Sequence, residues 1–302
     1  MSTPTIPDQS WQAVGEIAQP KDVENYLIAE IYKALGLPGD SRWCAWLRPV
    51  LGKMIRGFAV KAAAFDQSVA QHGFQVSSQR WLEKWVAGIS IQGWDQVPSS
   101  GPLLIAANHP GAYDALGVAS VVPRQDLKIV VAGNPFFRSL PNVRKHFIFS
   151  TLDTYVRMTT IRNAIRHLQS GASLLIFPSG RVDPDPLYFK QEAKQAVGSW
   201  SESLELILRR VPQSRLLVAI NTGFVAPNYL RNPLLRLHPR IMQRQKIAEV
   251  FQIIQQVVYD RWLSHRPIIS FSDITNFREP LSEQIGFRNL LMTCSQELID
   301  RN

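Results

Sequence analysis

His109 and Asp114 are the residues in this sequence whose types and spacing suit acid–base chemistry. A short apolar run ends at Asn108, and a turn containing a proline and a glycine follows before a helical pattern starts near Asp114. On one helix, residues five apart point in different directions, but across a tight turn an imidazole and a carboxylate can meet. A carboxylate on one ring nitrogen leaves the other free to act as a base.

A second turn follows another buried apolar run and centres on Ser179, Gly180 and Arg181. Its backbone N–H groups and its guanidinium suit an anion such as a phosphate or a developing oxyanion. The alternative is a surface turn in which Arg181 pairs with Asp183 or Asp185. The residues alone leave both interpretations open.

These two turns must be held by a larger framework, and apolar strand-like runs alternate with helical patterns along the chain. This alternation predicts an α/β fold with a mostly parallel central sheet flanked by helices. We place a domain boundary near residue 88, between an N-terminal helical region (1–88) and an α/β domain (89–302). The predicted strands are 103–107, 127–132, 146–149, 173–177, 215–221 and 268–271. The predicted helices of the α/β domain are 159–169, 200–210, 241–263 and 282–299.

The N-terminal region predicts a helix over 21–35 and a second over 42–64, with helix or turn continuing to 88. In the second helix, the apolar residues, Trp43 and Trp46 among them, occupy half of the circumference, and basic residues lie outside it. A basic helix with tryptophans at its apolar edge resembles an interfacial membrane helix. A helix packed on its own domain is the equal alternative.

The chain of 302 residues has a net charge of +9 and a pI near 9.8, which indicates an anionic partner. A membrane surface, a phosphorylated substrate and nucleic acid all fit, but no nucleic-acid recognition module is visible, so nucleic acid is not expected. The stretch from Arg209 to Lys246 contains eight basic residues and no acidic one, and it either faces anionic lipid or is simply solvated.

The two cysteines, Cys44 and Cys294, are too far apart for metal-ligand spacing and suggest a reducing compartment. The first ten residues do not resemble a signal peptide, and no apolar run approaches the roughly 18 residues that a spanning helix needs. We therefore expect a cytoplasmic protein whose association with the membrane is peripheral.

Both turns resemble motifs of one family. The sequence NHPGAYD at 108–114 is similar to the NHx4D block of the glycerolipid acyltransferases, the PlsC-type 1-acylglycerol-3-phosphate and glycerol-3-phosphate acyltransferases. The sequence FPSGR at 177–181 resembles their later FPEGTR block, in the same order along the chain. The resemblance covers about residues 90–290.

The resemblance implies O-acyl transfer from acyl-CoA or acyl carrier protein to a hydroxyl of a glycerolipid precursor such as lysophosphatidic acid. His109 would be the general base, and Asp114 would fix its tautomer and stabilise the imidazolium. It implies no metal and no cofactor beyond the acyl thioester co-substrate. Residues expected to shape the turn, line the site or hold the acceptor's phosphate are Asn108, Gly111, Tyr113, Ser179, Gly180 and Arg181.

The second turn departs from the family pattern, because Ser179 stands where the family has glutamate and Arg181 comes one place early. The departure keeps two other functions open. One is an acyl hydrolase in which Ser179, His109 and Asp114 form a triad, although the Gly-x-Ser-x-Gly elbow is missing. The other is a lipid-binding homologue with altered catalysis.

Overall fold

In a computed structural model, residues 18–21, 23–24, 42–151, 154–231, 241–274 and 284–302 are described. For residues 42–51, 154–156 and 284–285 within these ranges, the backbone alone is described. The predicted helix over 21–35 therefore lies almost wholly outside the described residues.

The framework of the described chain is a seven-stranded sheet in the order β1-β7-β6-β2-β5-β3-β4. Every neighbouring pair is parallel except β6 and β7, which are antiparallel. All five residues of β2 are buried, as expected for a central strand covered on both faces. The strands are β1 Ser90–Gln92, β2 Leu103–Ala107, β3 Lys128–Ala132, β4 Phe147–Ser150, β5 Ser173–Ile176, β6 Arg215–Thr222 and β7 Ile268–Asp273.

Helices cover both faces of this sheet. They are α1 Arg42–His72, α2 Phe74–Glu83, α3 Asp114–Val121, α4 Pro135–Arg138, α5 Thr154–Gln169, α6 Lys190–Val197, α7 Ser203–Arg210, α8 Pro227–Leu230, α9 Ile241–Ile253 and α10 Gln284–Arg301. Because strand side chains alternate, Leu103 and Ile105 face the core under α1–α3, whereas Leu104 and Ala106 face the core under α5–α7 and α10. The predicted class, a mostly parallel sheet flanked by helices, is confirmed.

Several elements differ from the prediction. Strand β1 was not predicted, because its three residues are exposed and carry no apolar alternation. The helix predicted over 241–263 ends at Ile253, and a π-helical turn, Ile254–Val258, follows it. The last strand extends to Asp273 and runs against β6, a direction that an apolar run by itself does not encode.

Helix α1 is longer than predicted, and several of its described side chains join the hydrophobic core. Ile55 is buried, and the ring of Phe58 lies 5.6 Å from that of Phe136. This favours packing on the protein's own core for this part of α1, while the side chains of Trp43 and Trp46 lie outside the described set. Among the described residues, no helix has the length and apolar character needed to cross a membrane.

The basic stretch from Arg209 to Lys246 is only partly a free cationic face. Arg209 pairs with Glu205 at 2.6 Å, and Arg215 pairs with Asp273. Residues 232–240 lie outside the described residues. Two of the eight basic side chains thus have carboxylate partners within the protein.

Candidate active site

The first turn, residues 108–114, leaves the carboxyl end of β2 and is tied to the neighbouring strand β6. Asn108 Nδ2 donates to the carbonyl of Asn221 at 2.9 Å, and the Asn221 N–H donates to Asn108 Oδ1 at 2.6 Å. Asn221 Nδ2 also donates to the carbonyl of Asn108 at 2.9 Å. Both side chains are buried, so these three bonds fix where the chain leaves the sheet. This placement agrees with a turn-shaping role for Asn108.

The turn brings the imidazole of His109 onto the carboxylate of Asp114. His109 Nδ1 lies 3.0 Å and 2.9 Å from the two carboxylate oxygens, and the Gly111 N–H donates to Oδ2 at 3.2 Å. Asp114 is fully buried, while the His109 side chain is 28% exposed. Among the described residues, none hydrogen-bonds to Nε2 of His109. The pair can therefore offer Nε2 to a reacting group.

The second turn, residues 177–185, hydrogen-bonds to the backbone of His109. The Asp183 N–H donates to the carbonyl of His109 at 2.7 Å, and the His109 N–H donates to Asp183 Oδ2 at 3.0 Å. The ring of Phe177 lies 4.6 Å from the imidazole. The backbone and one ring face of His109 are thus held by residues of β5 and its turn.

Asp183 and Asp185 are buried and do not pair with Arg181, so the surface-turn alternative is wrong on this point. Asp185 accepts backbone N–H groups of Leu187, Gly223 and Phe224 at 2.8–3.0 Å. Burial raises the pKa of Asp185 to about 6, and these N–H donors act against that rise. The carboxylate thereby joins the second turn to the end of β6.

The remaining polar groups of the second turn bond within the turn. The Gly180 N–H donates to the carbonyl of Phe177 at 3.0 Å, so it is not free for an anion. The Ser179 hydroxyl lies 2.8 Å from the carbonyl of Arg181 and 3.0 Å from Asp183 Oδ2. Arg181 itself is exposed and reaches Ser199 at 3.5 Å. The Gly180 N–H and the Ser179 hydroxyl are thus used within the turn, whereas the exposed Arg181 side chain remains a candidate for an anion.

Arg181 lines a cavity of about 440 Å³ beside the second turn. Lys246 of α9 lies in the same wall, together with Met242 and residues of α6 that include Glu192. The cavity combines two cationic side chains with apolar surface. That combination suits an anionic head group attached to a carbon chain.

Helix α9 contributes residues that the sequence analysis missed. Gln245 donates to the carbonyls of Pro110 and Asp183 at 2.7 Å and 2.8 Å, which joins the two turns. Glu249 is buried, accepts the Ala112 N–H, and has Oε1 3.6 Å from the position of a β-carbon on Gly111. Glu249 is the only acidic residue between Glu205 and Asp260, a signal visible in the sequence.

Three carboxylates surround His109 and set its protonation. Burial alone would lower the pKa of His109, but the charge and hydrogen bond of Asp114, then Glu249 and Asp183, raise it to about 9. Burial and the charge of Asp114 raise the pKa of Glu249 to about 7, against the lowering effect of His109. Burial likewise raises the pKa of Asp183.

Tyr113 was expected to line the site, but it is buried beneath the turn. Its hydroxyl donates to the carbonyl of Phe224 at 2.8 Å and lies 2.6 Å from Gln252 Nε2. Tyr113 therefore supports the first turn from below. Within the described residues, no group of three or more His, Cys, Asp or Glu side chains has metal-binding geometry.

Part of the chain is similar to a known protein family. Residues 88–213 match the family model described as Acyltransferase. No curated protein matches the sequence. Among solved structures, the chain is similar to the 1-acyl-sn-glycerophosphate (LPA) acyltransferase PlsC from Thermotoga maritima, with 15% identity, a TM-score of 0.42, and coverage of 93% of this chain and 98% of that one. The matched segment, residues 88–213, contains both the first and the second turn.

Proposed function

We propose that this enzyme moves a fatty acyl group from acyl-CoA or acyl carrier protein to a hydroxyl of a glycerolipid precursor such as lysophosphatidic acid. The observation that carries the proposal is the His109–Asp114 pair, in which Nδ1 is bonded to a buried carboxylate, the His109 side chain is 28% exposed, and no described residue hydrogen-bonds to Nε2. This geometry suits a general base that is held in one tautomer.

In the proposed reaction, Nε2 of His109 takes the proton of the acceptor hydroxyl as its oxygen attacks the thioester carbonyl carbon. The tetrahedral intermediate then expels the thiolate as the carbon–sulfur bond breaks, and the imidazolium returns the proton to the sulfur. Asp114 keeps the ring oriented and stabilises its charge between the two steps. No covalent enzyme intermediate is required.

The raised pKa of His109 has a kinetic consequence for this reaction. Because only the neutral imidazole can take a proton, and because its pKa is about 9, most of the enzyme starts in the protonated form at neutral pH. We expect kcat/KM to rise as the pH increases and to level off above about 9.

We also propose where the acceptor binds. The cavity with Arg181 and Lys246 lies directly beside the residues that flank Asp183, whose backbone bonds to His109. An acceptor phosphate bound by these two cations would place a glycerol hydroxyl on the side of the imidazole. Arg181 is the expected head-group residue in this proposal, and Ser179 and Gly180 shape its turn.

The hydrolase alternative is not favoured by the contacts of Ser179. Its hydroxyl bonds to Arg181 and Asp183, whereas His109 Nδ1 is bonded to Asp114. A serine nucleophile needs a hydrogen bond to the histidine that activates it. The alternative of a lipid-binding protein is tested by measuring whether the protein releases free thiol and forms ester.

We further propose a division into an N-terminal helical region, residues 1–88, and an acyltransferase domain, residues 89–302. We propose peripheral association of the enzyme with an anionic membrane surface on the cytoplasmic side. The net charge of +9 supports this association.

The test is an acceptor screen that measures both free thiol and the ester product by mass spectrometry. We expect His109→Ala to reduce the rate of ester formation by about 10²–10⁴-fold and Asp114→Asn to reduce it in the same direction. Asp95→Asn, a change at an exposed carboxylate, is the matched control and should leave the rate unchanged.

Three results would contradict the proposal. Thiol release with free fatty acid and no ester would indicate hydrolysis. No thiol release with any lipid acceptor would favour a lipid-binding protein. Full ester formation by both His109→Ala and Asp114→Asn would rule out this base.

A further inference from the structure

Helix α9 has two different faces. Its buried residues, Gln245, Glu249 and Gln252, face the site and bond to the first turn or to the residues beneath it. Its neighbouring residues Val250 and Phe251 are exposed by 55% and 52%. Large apolar side chains on the outer face of a helix that supports a catalytic turn are typical of an interaction surface.

Two further large apolar side chains are exposed after the end of α9. Tyr259 and Trp262 are exposed by 62% and 54%. Gln255 lies four residues after Phe251, so the two share one side of the helix, and the Arg261 N–H donates to the carbonyl of Gln255 at 3.0 Å. We call this set of exposed side chains the docking patch: Val250, Phe251, Tyr259 and Trp262.

The turn that carries the two aromatic residues is anchored on both sides. Asp260, which has a positive φ of 51°, pairs with Lys61 of α1. The Leu263 N–H donates to the carbonyl of Trp85 at 2.8 Å. Tyr259 and Trp262 are therefore presented outward by a turn fixed to α1 and to the segment after α2, so a partner would bind them with little loss of entropy.

The charges around the docking patch favour an anionic partner. Arg261 and Arg266 are exposed, and Lys246 is exposed one turn before Val250. The two acidic residues of this segment do not offset them, because Glu249 is buried and Asp260 pairs with Lys61. Tyrosine and tryptophan beside basic residues are typical of the boundary between lipid head groups and acyl chains.

We propose that the docking patch inserts into the surface of an anionic lipid bilayer. This inference rests on the proposed function, because binding to the bilayer would bring the enzyme to an acceptor that lies in the membrane. It also identifies the docking patch as the surface that contacts the lipid. Since α9 carries Val250 and Phe251 on its exposed side and Glu249 on its buried side, α9 would lie between the bilayer and the His109 turn.

The experiment is flotation of the purified full chain with vesicles of phosphatidylcholine alone or with about one third phosphatidylglycerol. The test variant is Phe251→Ser with Trp262→Ser. The matched control is Met158→Ser with Leu206→Ser, because these two are also exposed apolar residues but lie on α5 and α7, which cover the other face of the sheet. Thermal unfolding midpoints check that each variant is folded.

We expect the wild type and the control to float with the anionic vesicles and the test variant to bind about tenfold more weakly or worse. Arg261→Gln with Arg266→Gln should weaken binding to anionic vesicles by about fivefold per residue, since each basic side chain near such a surface contributes about 1 kcal/mol. Binding should also fall at high salt.

Equal weakening in the test and control variants would overturn the proposal, and so would unchanged flotation of the test variant. If the wild type is a dimer and does not bind vesicles, and if the test variant is a monomer, the patch is assigned to a second copy of the chain. Flotation needs no acyl donor. An enzyme that floats but forms no ester therefore contradicts the proposed function and leaves the docking patch standing.

Discussion

The first and second turns differ in how they use their polar groups. Both follow a buried strand, and β2 and β5 are parallel neighbours, so the two turns emerge at the same edge of the sheet. In the first turn, the His109 side chain is partly exposed, and no described residue hydrogen-bonds to its Nε2. In the second turn, Asp183 and Asp185 point inward, and Gly180 and Ser179 bond within the turn.

This difference suggests that the first turn carries the reactive group and that the second turn supports it. A reactive group needs an open atom and a neighbour that sets its charge, which the first turn has in His109 and Asp114. A supporting turn needs buried acceptors that match backbone donors, which the second turn has in Asp185. The comparison predicts that substitutions of the reactive pair in the first turn reduce activity, whereas substitutions of the buried carboxylate in the second turn reduce stability.

The largest expected effect is the loss of stability in Asp185→Ala. The change leaves the buried N–H groups of Gly223 and Phe224, and the more exposed N–H of Leu187, without their acceptor. Because each unsatisfied buried group costs about 1–3 kcal/mol, we expect the free energy of unfolding to fall by at least about 2 kcal/mol in urea denaturation. Asp95→Ala, at an exposed position, should change it little.

If Asp185→Ala instead unfolds at the same urea concentration as the wild type but loses ester formation, the second turn is not a support. In that case Asp185 would belong with the reacting groups, and the contrast between the turns would be lost.

The next effect concerns the pH dependence in Glu249→Gln. The negative charge of Glu249 helps to raise the pKa of His109, so its removal should lower that pKa and shift the rising limb of kcat/KM towards neutral pH. We expect a shift of about half a unit to one unit, equivalent to a rate increase of about three- to tenfold at pH 7. Glutamine keeps an oxygen for the Ala112 N–H.

Glu83→Gln is the control for this shift, since it removes an exposed carboxylate from α2. A pH profile that moves equally in both variants would mean that overall charge is responsible. A profile that does not move in Glu249→Gln would mean that His109 is not the group that titrates.

The smallest expected effect is that of Ser179→Ala. The Ser179 hydroxyl supports Asp183 from within the second turn, and Asp183 keeps its bonds to the backbone of His109 without it. We expect kcat/KM for ester formation to stay within about threefold of the wild type. A loss as large as that of His109→Ala, or an acyl adduct on Ser179 detected by mass spectrometry, would restore the hydrolase.

The parts of this molecule that were predictable from sequence are those encoded by local patterns. The run that forms β2 and the turn that joins His109 to Asp114 lie within a dozen residues, so periodicity and turn chemistry are sufficient to place them. The antiparallel direction of β7 depends on pairing between residues about 50 positions apart, and the contact of Glu249 with the first turn joins residues more than 100 positions apart. A single sequence carries no local signal for such distances.

The second turn illustrates the same limit within one motif. Its residues were correctly identified as a turn after a strand, but their directions were not, because the inward orientation of Asp183 and Asp185 depends on donors in β2, β6 and the segments after them. A neutral amide such as Gln245 was missed for a similar reason, since its importance lies only in the two carbonyls that it joins.

The strand order has a consequence for synthesis on the ribosome. The His109 turn emerges early, but its partners Asn221, Gln245 and Glu249 are translated more than 100 residues later. Until β7 follows, β6 has an open edge, and β1 has no neighbour through which to join the sheet. A nascent chain that has just completed the family-matched segment thus holds the His109–Asp114 pair and Asp183, but it does not yet hold Asn221, Gln245 or Glu249. The polar contacts that hold the first turn from β6 and α9 are complete only after Glu249 has been translated.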